Sequence, residues 1–273
     1  MHDVQEVRIL AINEAEAKHL DDTVVVEEPL EIRVNNVTLG VTMRTPGDDV
    51  DLATGLLWTE GIIRSADEIG TIAHCPNEDD PQLKNIIHVT LADSARQIRQ
   101  SRNTWASSSC GICGKSAIEA VRQEITAVTS PLRVDRRILI AMPQRMRARQ
   151  MNFARTGGIH AAGLFDTAGN LLAIREDLGR HNAVDKLLGA ALRAGVNTRN
   201  ALLMVSGRLG FEIAQKAVVA GIPVTASVSA PSSLAIALAH DAGMTAIGFV
   251  RGASMNVYTH PQRVIYGLSK YSS

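Results

Sequence analysis

Aromatic side chains make up only 3% of the sequence, too few for the stacking platforms that bind single-stranded nucleic acid. Charge of one sign is not in excess either, because 28 lysines and arginines balance 28 aspartates and glutamates. A protein that coats a nucleic-acid backbone needs surplus positive charge, so no nucleic-acid partner is expected. Long apolar runs are missing. The longest candidate, Ser227 to Leu238, is broken by Pro231 and by serines, so no membrane-spanning helix is expected. The N-terminus, MHDVQEVRILAINEAEAKHL, carries acids early and has no apolar core followed by a small-residue cleavage site. That predicts no signal peptide and a cytoplasmic location. Cysteine is scarce, and three in 273 residues do not make a disulfide framework.

What is present fits a globular chain with a sizeable core: 45% of the residues are hydrophobic. The first part, residues 1–130, reads as a small α+β domain. Strands are expected over Thr23 to Val26, Leu30 to Val34, Val37 to Met43 and Ile86 to Leu91, with Asn35-Asn36 as a tight turn. Asp48 and Asp49 are placed to cap a helix from about Val50 to Glu60, with Gly61 as its stop. Ala92 to Ser109 reads as polar loop, and a helix follows from about Ser116 to Ile125. Composition shifts near Ser130-Pro131, which sets the domain boundary. Arginine dominates from Arg133 to Arg155, and Pro143 is positioned to open a helix that Gly157-Gly158 stops.

Residues 131–273 then alternate regularly. Strands at Ile159 to Phe165, Leu171 to Arg175, Ala201 to Val205, Ile222 to Val228 and Met244 to Val250 are separated by helices at Asn182 to Ala194, Phe211 to Ala220 and Pro231 to Ala242. This order predicts a three-layer α/β domain with parallel strand pairing. In such sheets ligands bind beyond the carboxyl ends of the strands, where helix N-termini offer free N–H groups. Those ends read REDLGRH (Arg175 to His181), SGR (Ser206 to Arg208), SVSA (Ser227 to Ala230) and FVRGAS (Phe249 to Ser254). Glycine and serine occur in the βα turns of any α/β protein. Arginine at three of the four ends adds bidentate donors suited to phosphate. There is no GxGxxG after a strand and no GxxxxGK[ST], so neither a Rossmann dinucleotide site nor a P-loop is expected.

Cys110 and Cys113 stand in CxxC spacing within SSSCGICGKSAIEAV. Structural zinc needs two more ligands. His74 and Cys75 are awkwardly adjacent and no second CxxC exists, so no zinc is expected. A thioredoxin-like dithiol needs a strand just before the motif, where this chain has a polar stretch. Two buried small hydrophobes remain an alternative. The flanking Gly111 and Gly114, the cation Lys115 and the helix expected to follow favour a mobile thiol of raised reactivity, able to carry a sulfur atom. His160 in GGIHAAG reads as a hydrogen-bonded core histidine. His181 lies beside Arg180 at a strand end, with Glu176 and Asp177 upstream, and is as readily a ligand or partner group. Glu212 and Lys216 read as an i,i+4 surface pair, with Glu212 the better site candidate. The arginines from Arg133 to Arg155 read as a solvated helix face, or as a docking patch for an acidic partner.

The six blocks SSCGICGK, GGIHAAG, REDLGRHNAVDKLLG, VSGRLGFEIAQKA, GIPVTASVSAPSSLAI and GFVRGASMNVYTHPQR together resemble the FdhD family from about Glu27 to Arg263. The resemblance implies a sulfurtransferase, a sulfur carrier needed for formate dehydrogenase activity. Such a protein takes persulfide sulfur from a cysteine desulfurase. It passes the sulfur to the molybdenum (or tungsten) bis(molybdopterin guanine dinucleotide) cofactor, held as a client. It further implies Cys110 as the persulfide carrier with Cys113 as its partner, a GDP-like guanine nucleotide as a possible ligand, and a homodimer. The family's cofactor stretch falls on Phe249, Val250, Arg251, Gly252, Ala253 and Ser254, and Arg208, His181 and Arg180 join it from the other strand ends. The family's second domain is similar to cytidine deaminases, and the element order fits. The deaminase zinc motifs do not transfer: where they carry H-x-E this chain has His181-Asn182-Ala183, and where they carry P-C-x-x-C it has Ser206-Gly207-Arg208-Leu209-Gly210.

Overall fold

The computed structural model describes residues 3–75, 84–93, 95 and 126–267. Cys110, Cys113 and the helix expected over Ser116 to Ile125 lie outside them. The chain opens with an antiparallel ribbon of β1 (Val4–Ile12) and β2 (Ala17–Val25), in register from Val4 opposite Val25 to Ile12 opposite Ala17. Most of its side chains face solvent on both sides. That is why the sequence showed only its last few residues as strand: with no face buried there is no period-two pattern to read.

A four-stranded sheet follows, in the order β4 (Val37–Arg44), β3 (Glu28–Val34), β6 (Ile86–Leu91), β5 (Ile69–His74). Asn35 and Asn36 both take positive φ, at 47° and 66°, the conformation a two-residue hairpin turn requires and asparagine tolerates. Leu30, Ile32 and Val34 alternate inward and join Ile87, Val89 and Leu91 under α1 (Asp49–Thr59), which contributes Leu52, Ala53, Leu56 and Leu57. Neither aspartate caps this helix with its side chain. Asp48 is left-handed without a cap bond, and the Asp49 carboxylate is taken by the fully buried Arg44, at 2.9 and 3.1 Å. Arg44 also reaches Glu28 at 3.1 Å, but Asp49 is its buried, two-oxygen partner, so the Asp49 carboxylate is drawn to the guanidinium rather than to the helix amides.

The larger sheet has six strands in the order β13 (Ser254–Val257), β12 (Thr245–Arg251), β11 (Val224–Ser227), β10 (Leu202–Val205), β8 (His160–Phe165), β9 (Leu171–Asp177). β10, β11 and β12 pair in parallel as the alternating pattern predicted. β8 does not: it runs antiparallel to β10. Its short turn to β9 forces hairpin pairing, and β8 sits between β9 and β10 in the sheet. Helices α4 (Arg180–Arg193), α5 (Phe211–Val219) and α6 (Ser233–Asp241) cover one face. The other face is covered by α2 (Arg136–Arg147), whose Leu139, Met142 and Met146 are buried at helical spacing.

Pro143 does not open this helix. Asp135, the second residue of the short strand β7 (Val134–Asp135), caps it by accepting from the Arg137 amide, and Pro143 lies inside it. With Leu139 and Met142 buried, the helix starts at Arg136, about two turns before the proline. Proline's missing N–H leaves one carbonyl without its helical partner, and the helix ends four residues later. A separate short helix, α3 (Met151–Thr156), then stops at Gly157, φ 66°. β7 is paired in parallel by β14 (Val264–Ile265).

The two sheets are tied by α1 lying against α4. A Cβ built on Gly55 would overlap the carbonyl oxygen of Asp185, and one on Gly189 that of Asp51. Arg175 of β9 reaches Asp51 of α1 at 2.7 Å. Lys216, buried and held above its ordinary pKa by the carboxylates of Asp185 and Glu60 against the cost of burial, binds Asp185 at 2.9 Å and donates to Thr59 Oγ1 at 3.0 Å. It is therefore not the surface partner of Glu212. Among the described residues no helix is long and apolar enough to cross a membrane.

Candidate functional site

The parallel run of β10, β11 and β12 brings Ser206–Arg208, Val228–Ala230 and Arg251–Gly252 to one end of the large sheet. Because β8 is antiparallel, its first residue, His160, arrives at that end too. Gly179, Gly210 and Ser232 are the N-cap residues of α4, α5 and α6 there, with Ser232 Oγ accepting from the Ala235 amide, so the N-termini of three helices point the same way. The loops are cross-bonded. Ser206 Oγ accepts from the Ala161 amide at 2.9 Å, and Ser227 Oγ donates to Gly207 O at 2.7 Å. The Phe249 amide donates to Ser229 O at 3.0 Å. Phe249 itself has φ 54°, at a register shift between Gly248 and Arg251. A phenylalanine in the left-handed region costs about 1–3 kcal/mol and is held only where its surroundings impose it.

A cavity of about 700 Å³ opens at this end, the size of an ordinary small-molecule site. Met146, Phe153, Ile159, Val228 and Val250 make its apolar wall, and Arg147, Gln150, His160, Ser206 and Arg251 its polar groups. The Arg147 guanidinium lies 3.6 Å over the Phe153 ring, and that of Arg251 is 5.3 Å from the Phe249 ring. Of the strand-end residues singled out by sequence, Ser206, Val228, Val250, Arg251 and Gly252 line the cavity. Phe249, Ala253, Ser254, Arg208, Arg180 and His181 lie outside its lining. Arg180 and His181 form the first turn of α4, next to His160 across Gly207, where a Cβ would stand 3.3 Å from His160 Nδ1 and 3.9 Å from Arg180 Cβ.

His181 Nε2 is 2.6 Å from Glu212 Oε2. This hydrogen bond lowers the Glu212 pKa below its ordinary 4.5. The loop before α4 is fixed from beneath. Asp177, fully buried, holds Lys186 at 2.7 Å and the Gly179 amide at 2.8 Å. Lys186 also donates to Thr45 O at 2.8 Å, and Asn182 bridges Asp177 Oδ1 to Met43 O. Burial pushes the Asp177 pKa up, and the lysine beside it pulls the other way. The REDLGRHN stretch thus clamps the β4–α1 turn as well as presenting Arg180 and His181.

His160 is not a core histidine. It is half-buried and faces the cavity. Burial lowers its pKa below the ordinary 6.5, the positive groups of Arg180 and His181 lower it further, and Asp177 opposes them. Its folded pKa thus lies below the unfolded value. The stabilisation from keeping it neutral is present above about pH 6.5 and is lost as pH falls toward the folded value. An imidazole NMR titration should place the His160 midpoint below 6.5, and a midpoint at or above 6.5 would contradict this environment.

Sequence reasoning missed the wall built by Met146, Arg147, Gln150 and Phe153. It read the arginine-rich stretch as a solvated face or as a docking patch for an acidic partner. The available signal was Phe153, one of only four phenylalanines in the chain, standing just before the glycine pair that leads into His160. Among the described residues the free cysteine is Cys75, partly buried, with its amide in a strand-end bond to Ile86 O.

Fold and cavity define an α/β protein with an arginine-bearing cavity at the carboxyl ends of its parallel strands. The chain belongs to the FdhD/NarQ family, whose model matches residues 25–265. It is 48% identical over 265 residues to the sulfur carrier protein FdhD of Streptomyces avermitilis, covering 94% of both chains. It is 47% identical over 264 residues to the protein of that name from Mycolicibacterium paratuberculosis, covering 94% of this chain and 97% of the relative. In structure it is similar to a crystal structure described as a candidate formate dehydrogenase accessory protein from Desulfotalea psychrophila. The TM-score is 0.77 at 26% identity, over 96% of this chain and 99% of the other.

Proposed function

We propose that this protein is a sulfur carrier in formate dehydrogenase maturation. Residues 1–130 bear the sulfur on Cys110, assisted by Cys113. Residues 131–273, a cytidine-deaminase-like unit, hold the molybdenum (or tungsten) bis(molybdopterin guanine dinucleotide) that receives it. The observation that carries the reading is near-half identity, over almost the full length, to relatives named sulfur carriers, in a chain that has the CxxC of SSCGICGK. The cleft supports the second half of the reading. Its volume suits one guanine nucleotide portion. Arg251 and Arg147 supply cations for phosphate, and the Arg147–Phe153 stack offers a flat face to a heterocycle.

Loading is thiol–disulfide chemistry. The Cys110 thiolate attacks the terminal sulfur of a cysteine desulfurase persulfide. A new S–S bond forms on Cys110, the donor's S–S bond breaks, and the donor cysteine leaves as thiolate with no net change in electrons. The carrier then delivers the sulfur in the cytoplasm, as a homodimer in this reading. Neither zinc nor a dithiol redox partner is needed. Incubation with a cysteine desulfurase and cysteine should add about 32 Da, removable by thiol, to the intact mass. No gain, with a desulfurase shown to be active and compatible, would overturn the carrier role and leave a cofactor chaperone without sulfur chemistry.

A further inference from the structure

We propose that Glu176 is a positioning residue for the ligand cavity, fixing the wall that Phe153 and Arg147 present to the bound nucleotide. This rests on the reading of the cavity as a guanine nucleotide site. Glu176 lies on the edge strand β9, where successive side chains point to opposite faces. Its neighbours on either side turn to one face: Arg175 binds Asp51 of α1, and Asp177 holds the loop before α4. Glu176 turns to the other. Its two carboxylate oxygens accept the backbone N–H groups of Asn152 and Phe153, each at 3.0 Å.

Those amides open α3, which is only six residues long and has no side-chain cap at Gln150. So short a helix does not hold itself. It also lies against β2, and Thr156 Oγ1 donates to Asn152 O at 2.8 Å, but at its first turn Met151 is 70% exposed and the Asn152 and Phe153 amides are held by Glu176. A carboxylate on its first amides satisfies two otherwise open donors and suits the helix dipole. Phe153 is one of the two residues so held, and its ring carries the Arg147 guanidinium at 3.6 Å. Both side chains line the cavity. Glu176 touches neither the cavity nor any ligand in it. It sets where the stacked pair stands before a ligand arrives, and such preorganisation appears as affinity.

The test is calorimetric titration of the full chain with GDP, comparing wild type with Glu176→Ala, Glu176→Gln, Phe153→Ala and the Glu176→Ala/Phe153→Ala double variant. Stoichiometry reports the folded fraction, whereas Kd reports the site. Glu176→Ala is expected to bind about tenfold more weakly at unchanged stoichiometry. Glu176→Gln should recover part of the loss, because its amide oxygen still accepts one N–H. The double variant should bind no more weakly than Phe153→Ala alone, since residues acting through one another do not add. Three results would overturn the assignment: wild-type Kd in Glu176→Ala, additive losses in the double variant, or a fall in stoichiometry alone. If the wild type binds no GDP, the nucleotide reading fails. Amide exchange at Asn152 and Phe153 then decides the positioning role by itself: faster exchange in Glu176→Ala upholds it, and unchanged exchange ends it.

Discussion

Cys110→Ala is expected to leave no transferable sulfur on the chain while the protein stays folded. The effect should be complete rather than partial, because the step needs a thiolate and alanine has no sulfur to form the new bond. The sequence around it suits that role. From the sequence, Gly111 and Gly114 are expected to leave the backbone open to a donor and Lys115 to favour the thiolate. In the same assay Cys113→Ala should still accept sulfur, since in this reading the second thiol only assists or resets the first. The measurement is intact mass after incubation with desulfurase and cysteine, with circular dichroism to confirm the fold and restoration of formate dehydrogenase activity as the downstream readout. Full loading or full activation by Cys110→Ala would remove Cys110 from the mechanism. Loss in Cys113→Ala alone would exchange the roles.

Gly55→Ala and Gly189→Ala are expected to destabilise the fold by about 3 kcal/mol or more each. In an ordinary helix interior this change stabilises, by roughly 0.5–1 kcal/mol, because alanine loses less entropy on folding. Here the sign reverses. Each new Cβ overlaps a backbone carbonyl oxygen of the facing helix, and no side-chain rotation relieves a clash with backbone. The helices must move apart, which loosens the Thr59–Asp185 hydrogen bond and the Arg193–Asp51 pair that join α1 to α4. Gly210→Ala is the control. That glycine has φ −82° and nothing within 4 Å of the built Cβ, so it should lose less than about 1 kcal/mol. Urea midpoints of the three variants decide the matter. A Gly55→Ala protein as stable as wild type would mean that α1 and α4 do not approach as described.

The strands and helices of the larger sheet were legible because their faces are buried. Leu202 to Val205 read as continuous apolar strand, and Ala183, Val184, Leu187 and Leu188 gave a helical stripe, since each packs into a core. The β1–β2 ribbon was largely illegible for the opposite reason, with both faces wet. Pro143 misled because a local rule for helix starts was applied where buried Leu139 and Met142 had already set the helix. Lys216 looked like an exposed partner of Glu212 because sequence spacing records neighbours on one helix. It does not record Asp185 and Thr59 arriving from two others.

The sequence by itself determined the mixed α/β class, the strand ends that meet at one end of the large sheet and, through six ordered blocks, the family. These follow from local periodicity, turn chemistry and residue type, which are written along the chain. Only the tertiary structure decided which strand-end residues share a cavity. Arg251 and Val250 line it, whereas His181 turns to Glu212 and Arg180 stays outside its lining. Arg147 and Phe153, about a hundred residues earlier in the chain, complete the wall with His160. The antiparallel setting of β8 and the glycine contact of α1 with α4 belong there too. Contacts between distant segments depend on how sheets and helices pack in space, and no single stretch of sequence carries that information.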